Sequence, residues 1–304
     1  MSSCKIATRD VLVILLVALL WGANFSFIGT SLSTVDPYML TALRFFFCVF
    51  PLIFFFRKPK AVGLGFIALY GLLFGAGMAW LLNLGIAWGV NPGIASLLLQ
   101  FSAFFTVGWG VMFFGEKLNR VELGAIALAF VGLGLVIHTS SDSLSMAGVL
   151  FVLLAALCWS LCNIIVKLCG LKDAFAFLVW SCLFAIPALF LATYLIQGST
   201  PFEQLLKGYE TPVYFSIMYQ AYVSTMLGYW IWNKQMHKYP VSQIAPCSIL
   251  VPISGLIISW WVFEESTSAA RLAAIGLTLT ALALFISARR LELFIGKAAQ
   301  LTPR

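Results

Sequence analysis

Few residues in this chain are equipped for chemistry, and most of those lie in apolar surroundings. Arg44 is the single charge in PYMLTALRFFFCVFPLIFFF, residues 37–56. A guanidinium so placed can snorkel to the nearer surface or bond to helix carbonyls. Its other use is to hold an anion such as a carboxylate, which it does in forked geometry. The amides Asn24, Gln100 and Asn163 stand mid-run and offer both donors and acceptors. Trp21, Trp159 and Trp180 are equally deep, and an indole face attracts an ammonium by ~0.5–2 kcal/mol. On the functional reading, Arg44 holds a negatively charged group on something that passes through, and the amides and indoles offer further contacts. Uncharged polar groups inside a membrane also simply tie helices together, at ~1 kcal/mol each.

Other chemistries lack their parts. The carboxylates from Asp10 to Glu292 lie in loops or within a few residues of helix ends, and His138 and His237 are peripheral. That leaves no obvious intramembrane proton relay. No acid–base pair, metal-binding His pair or Ser-His-Asp set supports hydrolysis. Of the seven cysteines, Cys158 and Cys162 are four apart on one helix with Cys169 near the same face. A soft-metal site there is conceivable, but small apolar packing residues are the preferred reading. The expectation is a protein without cofactor or metal that is not an enzyme.

The elements that position these residues follow from composition. The chain has 304 residues, 62% hydrophobic and 10% charged. Soluble domains carry about 25% charged residues, so this is a polytopic, all-α membrane protein. A spanning helix needs ~20 apolar residues. Polar, Gly and Pro punctuation then predicts ten spans, at 10–29, 37–56, 63–88, 92–114, 120–138, 146–168, 172–195, 211–232, 240–263 and 268–288. The third is expected to break near Gly85 or Gly89. The run from Val11 to Gly29 is too long for a signal peptide, despite Lys5 and Arg9 before it. It reads as an uncleaved first helix.

Charge tests the count. With the N-terminus cytoplasmic, all of the 18 Lys and Arg except Arg44, Lys207 and Arg271 fall inside. This is the positive-inside bias, and it places both termini in the cytoplasm. The net charge of +7 therefore reports orientation in a lipid bilayer rather than nucleic-acid binding.

The halves resemble each other. Pro92 aligns with Pro240 and Glu116 with Glu264, a shift of 148 residues. LVALLWGAN ending at Asn24 echoes LLAALCWSLCN ending at Asn163, which pairs Trp21 with Trp159. LRFFFCVFP ending at Pro51 matches VWSCLFAIP ending at Pro187, which pairs Arg44 with Trp180. Five helices per half invert the second half, a transporter architecture with its site near the midplane. The domains are then 1–138, 146–290 and a cytoplasmic tail, 291–304. At ~1.5 Å per residue Arg44 lies ~10 Å below the outer surface, and Trp180 lies at the mirrored depth from the inner one. Arg44 is expected to meet a carboxylate from outside the midplane, with Trp180 closing the inner side. Gly71 with Gly75, and Gly85 with Gly89, let helices approach closely, by default within the monomer.

These residues together resemble the drug/metabolite transporter superfamily, its EamA-domain branch. WGANF at Trp21, ALRF at Ala42, and the glutamates of FFGEKL and VFEES carry the resemblance. NPGIASLLLQFSAFFT, FLVWSCLFAIP, LGYWIW and APCSILVPISGL are similar to bacterial exporters of O-acetylserine and cysteine. One departure is Glu265, where that family usually has a basic residue. The resemblance implies alternating-access export of small, zwitterionic amino-acid metabolites across a bacterial inner membrane, by a monomer or homodimer. Import or exchange of another metabolite or drug-like compound is the alternative.

Overall fold

A computed structural model describes residues 7–115, 118–139, 144–170, 173–239, 245–264 and 268–301. Side chains at 114, 233, 236, 237, 245, 246 and 289–301 are outside that description. Lys5, Glu116, Lys117, Lys172, Pro240, Glu265 and Arg304, which entered the charge and repeat readings, also lie outside it.

Among the described residues the regular structure is entirely helical, with no strand. In chain order the α-helices are α1 (Thr8–Ser31), α2 (Pro37–Val49), α3 (Leu64–Gly71), α4 (Trp80–Ala87), α5 (Pro92–Leu99), α6 (Ser102–Phe114), α7 (Arg120–Thr139), α8 (Met146–Cys169), α9 (Ala174–Gln197), α10 (Thr200–Lys207), α11 (Thr211–Met218), α12 (Gly228–Lys238), α13 (Leu250–Phe263) and α14 (Ala269–Leu301). A wider π-helical segment, Leu72–Ala79, joins α3 to α4, and another, Tyr219–Leu227, joins α11 to α12. Among the described residues eight helical runs are long and apolar enough to cross a membrane, and Cys247–Phe263 is a shorter apolar helix.

The boundaries have local causes. Pro37 and Pro92 each occupy the first helical position, where a missing N–H costs nothing. The preceding side chains cap the free donors: Asp36 Oδ1 accepts from the N–H of Tyr38 (2.9 Å) and Met39 (3.1 Å). Asn91 Oδ1 does the same for Gly93 (2.7 Å) and Ile94 (3.3 Å). Burial pushes the Asp36 carboxyl above its ordinary range, against those two backbone bonds. α2 stops at Val49 because Pro51 cannot continue its ladder.

Four features depart from the sequence expectation. The third run ends before Gly89, one of the two expected break points, whose φ of 96° suits glycine alone, but it widens unexpectedly at Leu72–Ala79. The fourth run is interrupted at Gln100 and Phe101, between α5 and α6. α10 was expected as loop; its Phe202 and Leu205 pack on a cluster around Met39, Leu40 and Ile217. The final helix also runs beyond the expected span to Leu301.

Packing leaves one face of most helices outward. α2 packs on α9, α1 on α13, and α6 on α8, while α7 and α14 pair along their lengths. Leu12, Leu16 and Leu19 of α1 are exposed, as a lipid-facing surface requires. The glycines sit where backbones meet within the chain. A Cβ on Gly71 would lie 1.9 Å from the Ser181 carbonyl oxygen of α9, and one on Gly75 would lie 2.4 Å from Ala185 Cβ. At the N-terminal end of α1, Asp10 accepts from Lys238 Nζ (2.5 Å) and the Tyr239 hydroxyl (2.6 Å), fastening α1 to α12.

Because the atom facing Gly71 is backbone, it cannot swing away. Gly71→Ala should lower stability by about 1–3 kcal/mol, read as a lower melting temperature in detergent. Gly276→Ala, in open space on α14, should leave stability unchanged or raise it.

Candidate functional site

Packing of α1, α2, α5, α8 and α12 leaves a central cavity of about 980 Å³. Six of the expected residues line it: Trp21, Asn24, Arg44, Gln100, Trp159 and Asn163. They come from four separate helical runs, so only the packed bundle brings them together. Lys167, Gly170 and Ala174 also line the cavity, where α8 gives way to α9. Asn163 and Lys167 are exposed, whereas Arg44 is 5% exposed. The space therefore opens at the C-terminal end of α8 and runs inward to the guanidinium.

Arg44 does not snorkel. It donates from Nη2 (2.8 Å) and Nε (3.2 Å) to a single oxygen, the Thr225 hydroxyl. The hydroxyl in turn donates to the Gln220 carbonyl (2.7 Å). None of the described lining residues is a carboxylate, and the two charged ones, Arg44 and Lys167, are both cations. A buried charge beside a neutral partner keeps most of its unfavourable desolvation. An anion entering the cavity offsets part of it.

The amides and indoles divide by role. Asn24 is 6% exposed, and its Oδ1 has no hydrogen-bond partner among the described residues. A buried acceptor left unmade costs about 1–3 kcal/mol. Asn163 Nδ2 donates to Thr106 Oγ1 (3.1 Å), and Gln100 Nε2 donates to the Ser248 carbonyl (3.3 Å). Gln100 and Ser248 are themselves related by the 148-residue shift. Trp21 is anchored by its indole N–H on the Ser224 carbonyl (2.8 Å) and packs against Tyr229 and Trp232 at ring distances of 5.2 and 5.3 Å.

Trp180 is not among the lining residues. Its indole N–H donates to the Phe56 carbonyl (2.9 Å), tying α9 to the chain just beyond α2. Sequence reasoning missed Tyr70, Tyr229, Ser96 and Lys167, which do line the cavity. Lys167 had been counted only as a loop charge. The tyrosines carried no signal beyond falling within apolar runs.

Comparisons with known proteins agree with this construction. The model of the EamA-like transporter family matches twice, over residues 8–138 and 146–287. A probable amino-acid metabolite efflux pump of Salmonella typhimurium is 34% identical over 271 residues, covering 87% of this chain and 90% of that protein. One of the same description from Escherichia coli is 34% identical over 263 residues, covering 84% and 88%. A solved crystal structure has the same fold, with a TM-score of 0.64 at 17% identity, over 92% of this chain and 98% of the other. With the family matched in both halves and relatives aligned along most of its length, this multi-pass membrane protein belongs to the EamA-like transporter family of the drug/metabolite transporter superfamily.

Proposed function

We propose that this chain exports small amino-acid metabolites, of the O-acetylserine and cysteine kind, across a bacterial inner membrane. The reading joins the similarity to two probable amino-acid metabolite efflux pumps to the chemistry of the cavity. The observation that carries it is Arg44: a buried guanidinium beside the cavity, held by a hydroxyl and not by an acid. In a dry site a carboxylate bonded to it gains far more than it would in water. Asn24 Oδ1 and the faces of Trp21 and Trp159 then receive the ammonium. Gln100 and Asn163 narrow the space through their ties to Ser248 and Thr106.

Transport proceeds by alternating access between two inverted five-helix halves. Ten crossings follow if the helical run 211–238 and the shorter helix Cys247–Phe263 join the eight long spans. The positive-inside bias puts both termini in the cytoplasm. On that orientation the mouth by Lys167 and Gly170 faces the cytoplasm, which is where an exporter loads. Trp180 serves the inner side from outside the cavity lining, by holding α9 to Phe56 as the halves rock.

Three variants test the assignment in proteoliposomes loaded with labelled substrate. Arg44→Gln should raise KM for O-acetylserine or cysteine by about tenfold or more, the equivalent of ~1.4 kcal/mol, while Arg44→Lys retains part of the affinity. Full activity with normal KM in Arg44→Gln would remove the carboxylate role. Asn24→Leu should raise KM about tenfold or more for substrates with a free ammonium, in line with one lost hydrogen bond to a charged group. It should leave the N-acetylated analogue unchanged, and equal losses for both compounds would exclude Asn24 as the ammonium acceptor.

A further inference from the structure

The two π-helical segments occupy corresponding places in the two halves. Shifting Leu72–Ala79 by the 148 residues that relate Pro92 to Pro240 gives 220–227, against the observed Tyr219–Leu227. A π turn is rare and widens the helix locally, which leaves backbone groups out of the usual ladder. Around Tyr219–Leu227 those groups are used. The Ser224 carbonyl takes the Trp21 indole N–H, and the Gln220 carbonyl takes the hydroxyl of Thr225, five residues on.

This second bond settles how Thr225 presents itself. A hydroxyl has one proton to donate. With that proton on Gln220, only lone pairs remain to face Arg44, and the guanidinium donates to them twice. Thr225 is fully buried, as is Gln220. The same shift places Gly77 opposite Thr225, and a Cβ there would lie 2.9 Å from Cys158 Sγ of α8. The Arg44–Thr225 bond therefore crosses between the halves, and the repeat-related pair is Trp180 with Gly77. The widened turn is common scaffold, and the hydroxyl lies in the half opposite the one that carries the cation.

We propose that Thr225 is a positioning residue that sets the transporter's preference for a carboxylate. It fixes the guanidinium toward the cavity through Nε and Nη2, and it does so without supplying a negative charge. The remaining N–H groups and the full charge stay available to substrate. An acid at this position would hold Arg44 equally well but neutralise it, and an apolar residue would leave it unheld. The proposal rests on the reading of Arg44 as the carboxylate's partner.

The test is KM and kcat for O-acetylserine or cysteine and for the matching carboxamide, measured in proteoliposomes. Thr225→Val should raise KM for the carboxylate about tenfold, change kcat less than twofold, and leave the carboxamide's KM unaltered. Thr225→Ser should recover most of the lost affinity. Thr225→Asp should abolish discrimination between acid and amide. An unchanged carboxylate KM in Thr225→Val, or equal losses for both compounds, overturns the proposal. If Thr225→Val does not accumulate, Thr225→Ala is read by the same criteria, and failure of both with a discriminating Thr225→Asp also overturns it. A normal KM in Arg44→Gln defeats the underlying reading instead. A raised KM there with a normal one in Thr225→Val defeats this inference alone.

Discussion

A guanidinium buried in a membrane bundle and bonded to a neutral hydroxyl is the constraint around which this protein is arranged. Transferring such a charge out of water is expensive, and the usual remedy is a carboxylate alongside. Here the bonded partner is Thr225. The cost is tolerable because cavity and charge adjoin, so the site is relieved when an anion arrives. Under the proposed carboxylate role of Arg44, substrate binding and relief of desolvation are the same event. This also explains why an apolar residue, cheaper for stability alone, is not what stands at position 44.

The irregular parts of the helices gather around that point. The π turn at Tyr219–Leu227 brings Thr225 to Arg44 and offers a carbonyl to Trp21. The interruption between α5 and α6 falls at Gln100, which meets its repeat counterpart Ser248. By contrast, α7 and α14 pair as long uninterrupted helices at the periphery. Regular backbone satisfies its own hydrogen bonds in lipid, whereas irregular backbone is stable only when buried in protein or facing a cavity. Distortion and function therefore coincide here for a physical reason.

Much of this was legible in the amino-acid sequence, because the bilayer is a demanding solvent. Spans were readable from apolar length, and Arg44 stood out as a cation that loop charges did not absorb. Trp21 and Asn24, with Trp159 and Asn163, were found through the repeat and do line one cavity. Trp180 came from the same alignment, yet its indole is turned to Phe56. Alignment gives a position along a helix but not the direction of a side chain. The π turns left no mark that periodicity could detect: LLFGAGMA is apolar on every side, and Gln220, Ser224 and Thr225 of the second segment read as ordinary intramembrane polar groups. Thr225 was visible only as one of several buried hydroxyls, and its bond to Arg44 depends on packing between α2 and a distant helix.

Equilibrium binding most directly tests whether Arg44 holds the substrate carboxylate. Affinities of O-acetylserine or cysteine and of its methyl ester are compared in purified wild-type protein and in Arg44→Gln. The account predicts that wild type prefers the acid by about tenfold or more, equivalent to ~1.4 kcal/mol, and that the preference collapses in the variant. The same acid-to-ester ratio in both proteins would contradict it.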